Sequence, residues 1–185
     1  MWSLERAARL LIVLGLAGLT GGCFAPLYGS AGIGPSGGLQ QKLASIDVAP
    51  IPTANVPNGT RLARVGVGIR NDLMFDLTGG GPTASPTHRL DIQLSAITTE
   101  VVVDVNTNRP DVENYGINAT YTLTDLATGK VVVNSTTFSR VSYNIPGQEQ
   151  RFAGQRGLRD AEDRAAKVIA DNIRSRLASY FVAGT

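Results

Sequence analysis

The period of hydrophobic and polar positions changes several times along the chain, and each change predicts a new element. Apolar and polar residues alternate over 44–48, which predicts a short strand that Pro50 ends. Apolar side chains then recur every three or four residues, at Leu62, Val65, Ile69, Leu73 and Leu77. Two glycines in this stretch each cost a helix about 1 kcal/mol and leave a strand over 65–69 as a local alternative. Because the stripe continues well past Ile69, it favours a helix.

A period of two begins at Thr87 and predicts three consecutive strands. The first runs through 90–105, the second carries the apolar residues of 117–123, and the third extends from Lys130 to about Tyr143. The turns between them are a polar segment at 106–111 and a Gly-containing segment at 125–129, so an antiparallel meander is expected.

Helical spacing returns after Pro146 and continues nearly to the end of the sequence. The apolar positions are Leu158, Ala161, Ala165, Val168, Ile169, Ile173, Leu177, Tyr180 and Phe181. The predicted order is β-α-β-β-β-α. We therefore expect an α+β fold, a four-stranded and mostly antiparallel sheet with two helices packed on one face.

The first 22 residues have the features of an export signal. Arg6 and Arg9 precede an apolar run at 10–19, about half the roughly 20 residues that span a bilayer. Small residues and then Cys23 follow, which resembles the cleavage and lipidation site of bacterial lipoproteins, and Phe24 after it favours the outer membrane. We expect a signal peptide at 1–22, a Gly/Ser/Pro-rich tether at 23–41 and a single α+β domain at 42–185, anchored by a lipid on Cys23.

Composition excludes several classes of function. Seventeen Lys and Arg against 15 Asp and Glu give a net charge of +2, far from the basic excess of a nucleic-acid-binding domain. One Cys and one His leave no donor set for a zinc site and no evident nucleophile–base pair. The acidic residues at 104–113 do not fit a calcium loop, because Arg109 stands where such a loop needs Gly. No metal, cofactor or catalytic residue is predicted, and the chain is not expected to be an enzyme.

Four segments together resemble the LptE family of outer-membrane lipoproteins that assemble lipopolysaccharide, in its alphaproteobacterial form. They are CFAPLYG at 23–29, YTLTDLATGK at 121–130, VSYNIP at 141–146, and RDAEDRAA at 159–166 followed by IRSRL at 173–177. Their order and spacing agree with the family over nearly all of the chain after Cys23.

The resemblance implies two helices on a four-stranded sheet and a non-catalytic role. It also implies a partner, an LptD-type outer-membrane β-barrel in whose lumen the protein sits as a plug, and lipopolysaccharide as ligand.

Arginine binds phosphate well, so Arg109, Arg151, Arg156 and Arg159 are candidates for contacting lipopolysaccharide phosphates, although a solvated basic face is an alternative. Polar side chains over 106–118 and 134–139 fit a barrel lumen or ordinary solvent equally. A lipoprotein auxiliary to a lipid-transport ABC system is the alternative function.

Overall fold

The computed structural model describes residues 38–52, 60–80, 85–104, 109–145 and 151–183. The described residues from Gln41 onward belong to one compact unit. The predicted signal peptide, Cys23 and most of the predicted tether lie outside the described residues, so these predictions stay untested. The elements are α1 (Leu39–Ala44), β1 (Ile46–Val48), α2 (Arg61–Thr78), β2 (His88–Asp104), β3 (Arg109–Asp125), β4 (Val131–Asn144) and α3 (Arg151–Ala183).

The four strands form one sheet in the order β1-β2-β3-β4. β1 runs parallel to β2, and the other neighbours are antiparallel, with Ile92 opposite Tyr121 and Ala119 opposite Thr137. The parallel pair follows from the connection, because a helix between two strands allows the second strand to run in the same direction as the first. The predicted α+β class, the mostly antiparallel sheet and the two helices on one face are confirmed.

The core lies between α2, α3 and one face of the sheet. Alternate residues of the central strands are buried, as expected for a sheet covered on one side. The largest fully buried side chains of the sheet and the two long helices are Ile46, Leu90, Ile92, Ile117, Leu123, Ile69, Leu73, Leu77, Ile169, Ile173 and Leu177. The apolar stripes recognised in the sequence are therefore the surfaces that meet in the core.

The limits of α2 follow from its capping residues. The Oγ1 of Thr60 accepts a hydrogen bond from the N–H of Ala63 at 3.4 Å, and Gly79, at φ 73°, donates its N–H to the carbonyl of Phe75 at 2.8 Å. The helical prediction over this stretch is confirmed, despite the glycines. Gly66 is buried, and a Cβ there would meet Ile51 and Leu94 at an ordinary 3.6 Å.

Two details differ from the sequence prediction. Val168 is 42% exposed, because the buried arc of α3 is centred on positions 161, 165, 169 and 173, and Val168 lies at its margin. The short helix α1 was not predicted. Its Leu43 is fully buried, but six residues are too few for a periodic stripe to stand out. No helix among the described residues is both long and apolar enough to cross a membrane.

Candidate functional site

An arginine cluster lies where the first turn of α2 meets the N-terminal half of α3. Arg156 and Arg159 were candidates from the sequence, and the packing of the two helices adds Arg61 and Arg64. Side-chain exposure is 63% for Arg61 and 41% for Arg64, so both guanidinium groups reach solvent. We call the four residues the arginine cluster.

A cavity of ≈ 180 Å³ opens within this cluster, between the two helices. Its lining residues are Arg61, Arg64, Gln155, Leu158, Arg159 and Glu162. Three of the four charged groups are guanidinium groups, which makes the cavity electropositive.

Glu162 forms the buried acidic side of the cavity, with 2% of its side chain exposed. Its Oε2 accepts a hydrogen bond from Nη2 of Arg64 at 2.9 Å, and its Oε1 lies 3.9 Å from Nε of Arg61. A buried carboxylate is costly unless it is paired, so these arginines are the reason that it is accommodated. Glu162 was not singled out in the sequence. The signal was present, because position 162 lies four residues after Leu158 and four before the buried Ala166, within the apolar stripe.

Two tyrosines of the sheet lie close to this ion pair. Tyr115 is buried, and its hydroxyl has no hydrogen-bond partner among the described residues. Burial raises the pKa of Tyr115 to about 12, and the nearby Glu162 carboxylate adds to the effect. Burial likewise raises the pKa of Tyr143, whose hydroxyl donates to Glu113. Both tyrosines therefore stay neutral at physiological pH and add no charge to the site.

A second, more open hollow of ≈ 310 Å³ adjoins the cavity on α3. It is lined by Phe152, Gln155, Arg156 and Arg159. Phe152 is 82% exposed at the start of the helix, so an aromatic ring and two guanidinium groups share one helical surface at i, i+4 and i+7 spacing. Such a surface can contact a ligand that is both apolar and anionic.

The structure does not bring all predicted site residues to the arginine cluster. Arg109 is the first residue of β3, paired in register with Asp104 rather than lying in the expected turn, and Arg151 is the first residue of α3. Their side chains, and Cys23 as a whole, lie outside the described part of the structure. These three assignments remain predictions.

The face of the sheet opposite the helices carries mostly uncharged polar side chains, together with the exposed Ile97 and the ion pair of Arg89 with Asp91. Side chains that alternate with the core residues lie here, as the register requires; they include Gln93, Ser95, Thr99, Asn114, Asn118, Thr120, Thr122, Asn134, Thr136 and Ser142. Arg140 lies 5.6 Å from the ring centroid of the exposed Phe138 on this face. We call it the open face. Ser139, which the sequence grouped with it, is instead buried on the helix side.

His88 lies at the other end of the sheet and serves packing. Its ring meets Phe181 edge-on at 5.2 Å, and Nδ1 lies 2.8 Å from the hydroxyl of Thr87. Burial lowers the pKa of His88, and Asp125 opposes the shift. No group of three His, Cys, Asp or Glu side chains in the described ranges is placed to hold a metal ion.

Comparisons with known proteins bear on the family and the fold of the chain. The model of a lipopolysaccharide-assembly family, LptE, matches residues 43–177. Among solved structures, a proposed lipoprotein of Caulobacter crescentus has a TM-score of 0.59 and 19% identity, over 80% of this chain and 97% of that one. The rare lipoprotein B of Shewanella oneidensis has a TM-score of 0.53 and 12% identity, over 75% and 96%. At these identities the two structures support the fold alone. No curated protein sequence matches the chain.

Proposed function

Since the chain belongs to the LptE family of lipopolysaccharide-assembly proteins, we propose that it is an outer-membrane lipoprotein that plugs an LptD-type β-barrel and assists its assembly. In the same proposal it binds lipopolysaccharide for insertion into the outer leaflet and has no catalytic role. The family match over 43–177, which covers all four strands, α2 and most of α3, is the observation that carries the proposal.

The open face supports contact with a barrel. The lumen of an outer-membrane barrel is polar, and a plug has to offer hydrogen-bonding groups to it. Threonine, asparagine, serine and glutamine side chains of β2, β3 and β4 line the open face, and both long helices lie on the opposite side. The sheet can thus lie against a polar wall with Arg140 and the paired Arg89 and Asp91 as the charged groups of the contact.

The arginine cluster supports contact with lipopolysaccharide. Lipid A and core carry phosphates, and the planar guanidinium group binds phosphate through two parallel hydrogen bonds. Phe152 beside Arg156 and Arg159 adds an apolar surface that suits an amphipathic ligand. We also propose that Arg109 and Arg151 contact lipopolysaccharide phosphates.

The test of partner and anchor is affinity purification of the tagged full-length protein from detergent-solubilised outer membranes, followed by mass spectrometry. We expect a stoichiometric large β-barrel and an acylated Cys23 at the N-terminus. A lipidated protein without a barrel partner would overturn the plug assignment and favour an auxiliary role in lipid transport.

The test of the ligand contact is charge reversal within the arginine cluster. The double variant Arg156→Glu, Arg159→Glu should bind lipopolysaccharide at least tenfold more weakly, because two phosphate contacts become repulsive. The exposed Arg176 lies on the same helix, 17 residues beyond Arg159 and about 25 Å away, so Arg176→Glu is the matched control for the single variant Arg159→Glu. Equal weakening by these two single variants would mean that only net charge matters.

A further inference from the structure

The carboxylate of Glu162 has one oxygen that the protein leaves without a hydrogen bond. Oε2 is satisfied by Arg64 at 2.9 Å. Oε1 is buried and accepts no hydrogen bond from the described residues, since Arg61 at 3.9 Å is too distant for one. Glu162 lines the cavity in the arginine cluster, and the nearby buried hydroxyl of Tyr115 forms no hydrogen bond to Oε1. Oε1 is itself enclosed, with the exposed side chain of Arg61 next to it. A ligand in the cavity that moves Arg61 aside therefore meets an acceptor that needs a donor.

The remaining charged groups of the cavity favour an anion. Arg61, Arg64 and Arg159 outnumber the single carboxylate of Glu162 among the lining residues. Arg159 forms no ion pair with any residue whose side chain the structure describes. A ligand that satisfies the whole cavity must therefore be an anion, to pair with the guanidinium groups, and must also carry a hydrogen-bond donor for Oε1.

A singly protonated phosphate monoester has both the negative charge and the hydrogen-bond donor. Its ionised oxygens accept from the guanidinium groups, and its P–OH donates to the free carboxylate oxygen. We propose that the cavity between α2 and α3 is a binding site for phosphate monoesters, and that Glu162 selects the protonated monoester over phosphodiesters and sulfate. A diester or a sulfate is ionised near neutral pH and has no O–H, so it would turn a lone pair toward the carboxylate.

The monoester can come from two sources, the phosphorylated headgroup of a glycolipid or a soluble sugar phosphate. The inference refines the phosphate contact of the proposed function, on which the headgroup source rests. The chemistry of recognition is the same for both sources. It differs from attraction by net charge, because charge alone does not separate a monoester from a diester or from sulfate.

The test is calorimetric titration of the full chain in non-ionic detergent with methyl phosphate, dimethyl phosphate and sulfate, at equal ionic strength. A pH of about 5.5 keeps most of the monoester singly protonated, since its second pKa is about 6. We expect methyl phosphate to bind at least tenfold more tightly than the other two, because an unsatisfied buried acceptor costs about that factor or more. Equal binding of the three anions, or no binding of methyl phosphate, would overturn the proposal.

Two variants separate selectivity for the monoester from general attraction of anions. Glu162→Gln removes the carboxylate acceptor, and the preference for the monoester should fall to about onefold. Arg159→Gln should weaken all three anions while leaving their ratio unchanged. Arg176→Gln, outside the cavity, should match the original protein. Should Glu162→Gln fail to fold by circular dichroism, the anion ratios of the unaltered chain and of Arg159→Gln still decide the question.

The source is found by competition against bound methyl phosphate. Displacement by lipopolysaccharide but not by its dephosphorylated form supports a headgroup ligand, and displacement by glucosamine 1-phosphate alone supports a soluble one. Absence of a barrel partner in the purification above would refute the plug and leave this selectivity standing. Equal binding of the three anions would refute the monoester site, but would not affect the family membership or the proposed barrel contact.

Discussion

Replacing Arg64 with methionine tests whether the Glu162 ion pair holds α2 and α3 together. The substitution keeps an unbranched apolar stem but removes the group that donates to Oε2 at 2.9 Å. Glu162 stays 2% exposed among apolar helix residues, so its carboxylate is left with Arg61, 3.9 Å from the other oxygen. The folded state loses stability because a buried charge has lost its hydrogen-bonded partner.

The expected magnitude follows from the exposure of the two groups. Breaking a fully buried ion pair costs about 3–5 kcal/mol. Arg64 is 41% exposed, so water already screens the pair, and Arg61 takes over part of the interaction; we therefore expect a loss of about 2 kcal/mol in the free energy of unfolding. For a domain of this size that corresponds to roughly 6–8 °C in Tm.

The assay is urea unfolding followed by circular dichroism, in a double-mutant cycle with Glu162→Gln. Arg64→Met in the Glu162→Gln background should cost about 1–2 kcal/mol less than in the original chain, because no carboxylate is left unpaired. The matched control is Arg89→Met, which breaks a surface pair with Asp91 in which both side chains are about half exposed, and should cost below about 0.5 kcal/mol. Additive effects of Arg64→Met and Glu162→Gln would refute the reasoning.

Two further predictions concern stability. Gly68 lies inside α2, and a Cβ added there would have no other atom within 4 Å, so Gly68→Ala should raise the free energy of unfolding by about 0.5–1 kcal/mol; a loss measured by urea unfolding would contradict it. The pKa of His88 is lowered by burial, so the folded state favours the neutral ring, and this contribution is present above pH 6.5 and lost as pH falls further. Urea unfolding between about pH 8 and pH 5 should show a steeper loss for the original chain than for His88→Gln, and equal pH profiles would count against it.

Local patterns predicted the elements, because each long element carries its own periodic signal. The stripe from Val65 to Leu77 is the buried side of α2, and the alternation from Leu90 onward is the buried side of β2. The same reasoning missed α1, whose six residues give no period. Helical spacing also included Val168 in the buried stripe of α3. Spacing alone does not define where the buried arc ends, and Val168 lies at its margin.

The site was harder to predict because it is made by a contact between distant parts of the chain. Arg64 and Glu162 are 98 residues apart, and no periodicity relates them. Arg156 and Arg159 were visible as a local cluster, but the groups that complete it come from the first turn of α2. One feature of the sequence did indicate the site. Glu162 occupies a core position of an apolar stripe, and a buried carboxylate needs a cationic partner in the folded chain.

The two proposed contacts lie on opposite sides of the sheet, and this separation constrains the mechanism. The helices cover one face and carry the arginine cluster between them, whereas most side chains of the open face are polar and uncharged. If the open face lies against a barrel wall, the arginine cluster faces away from that part of the wall and toward the lumen, where a lipid headgroup can pass. A chain that used one face for both contacts would have to release the barrel in order to bind the ligand. In this arrangement neither contact needs to be broken for the other to form, so the charge reversal at Arg156 and Arg159 should leave the recovery of the barrel partner unchanged.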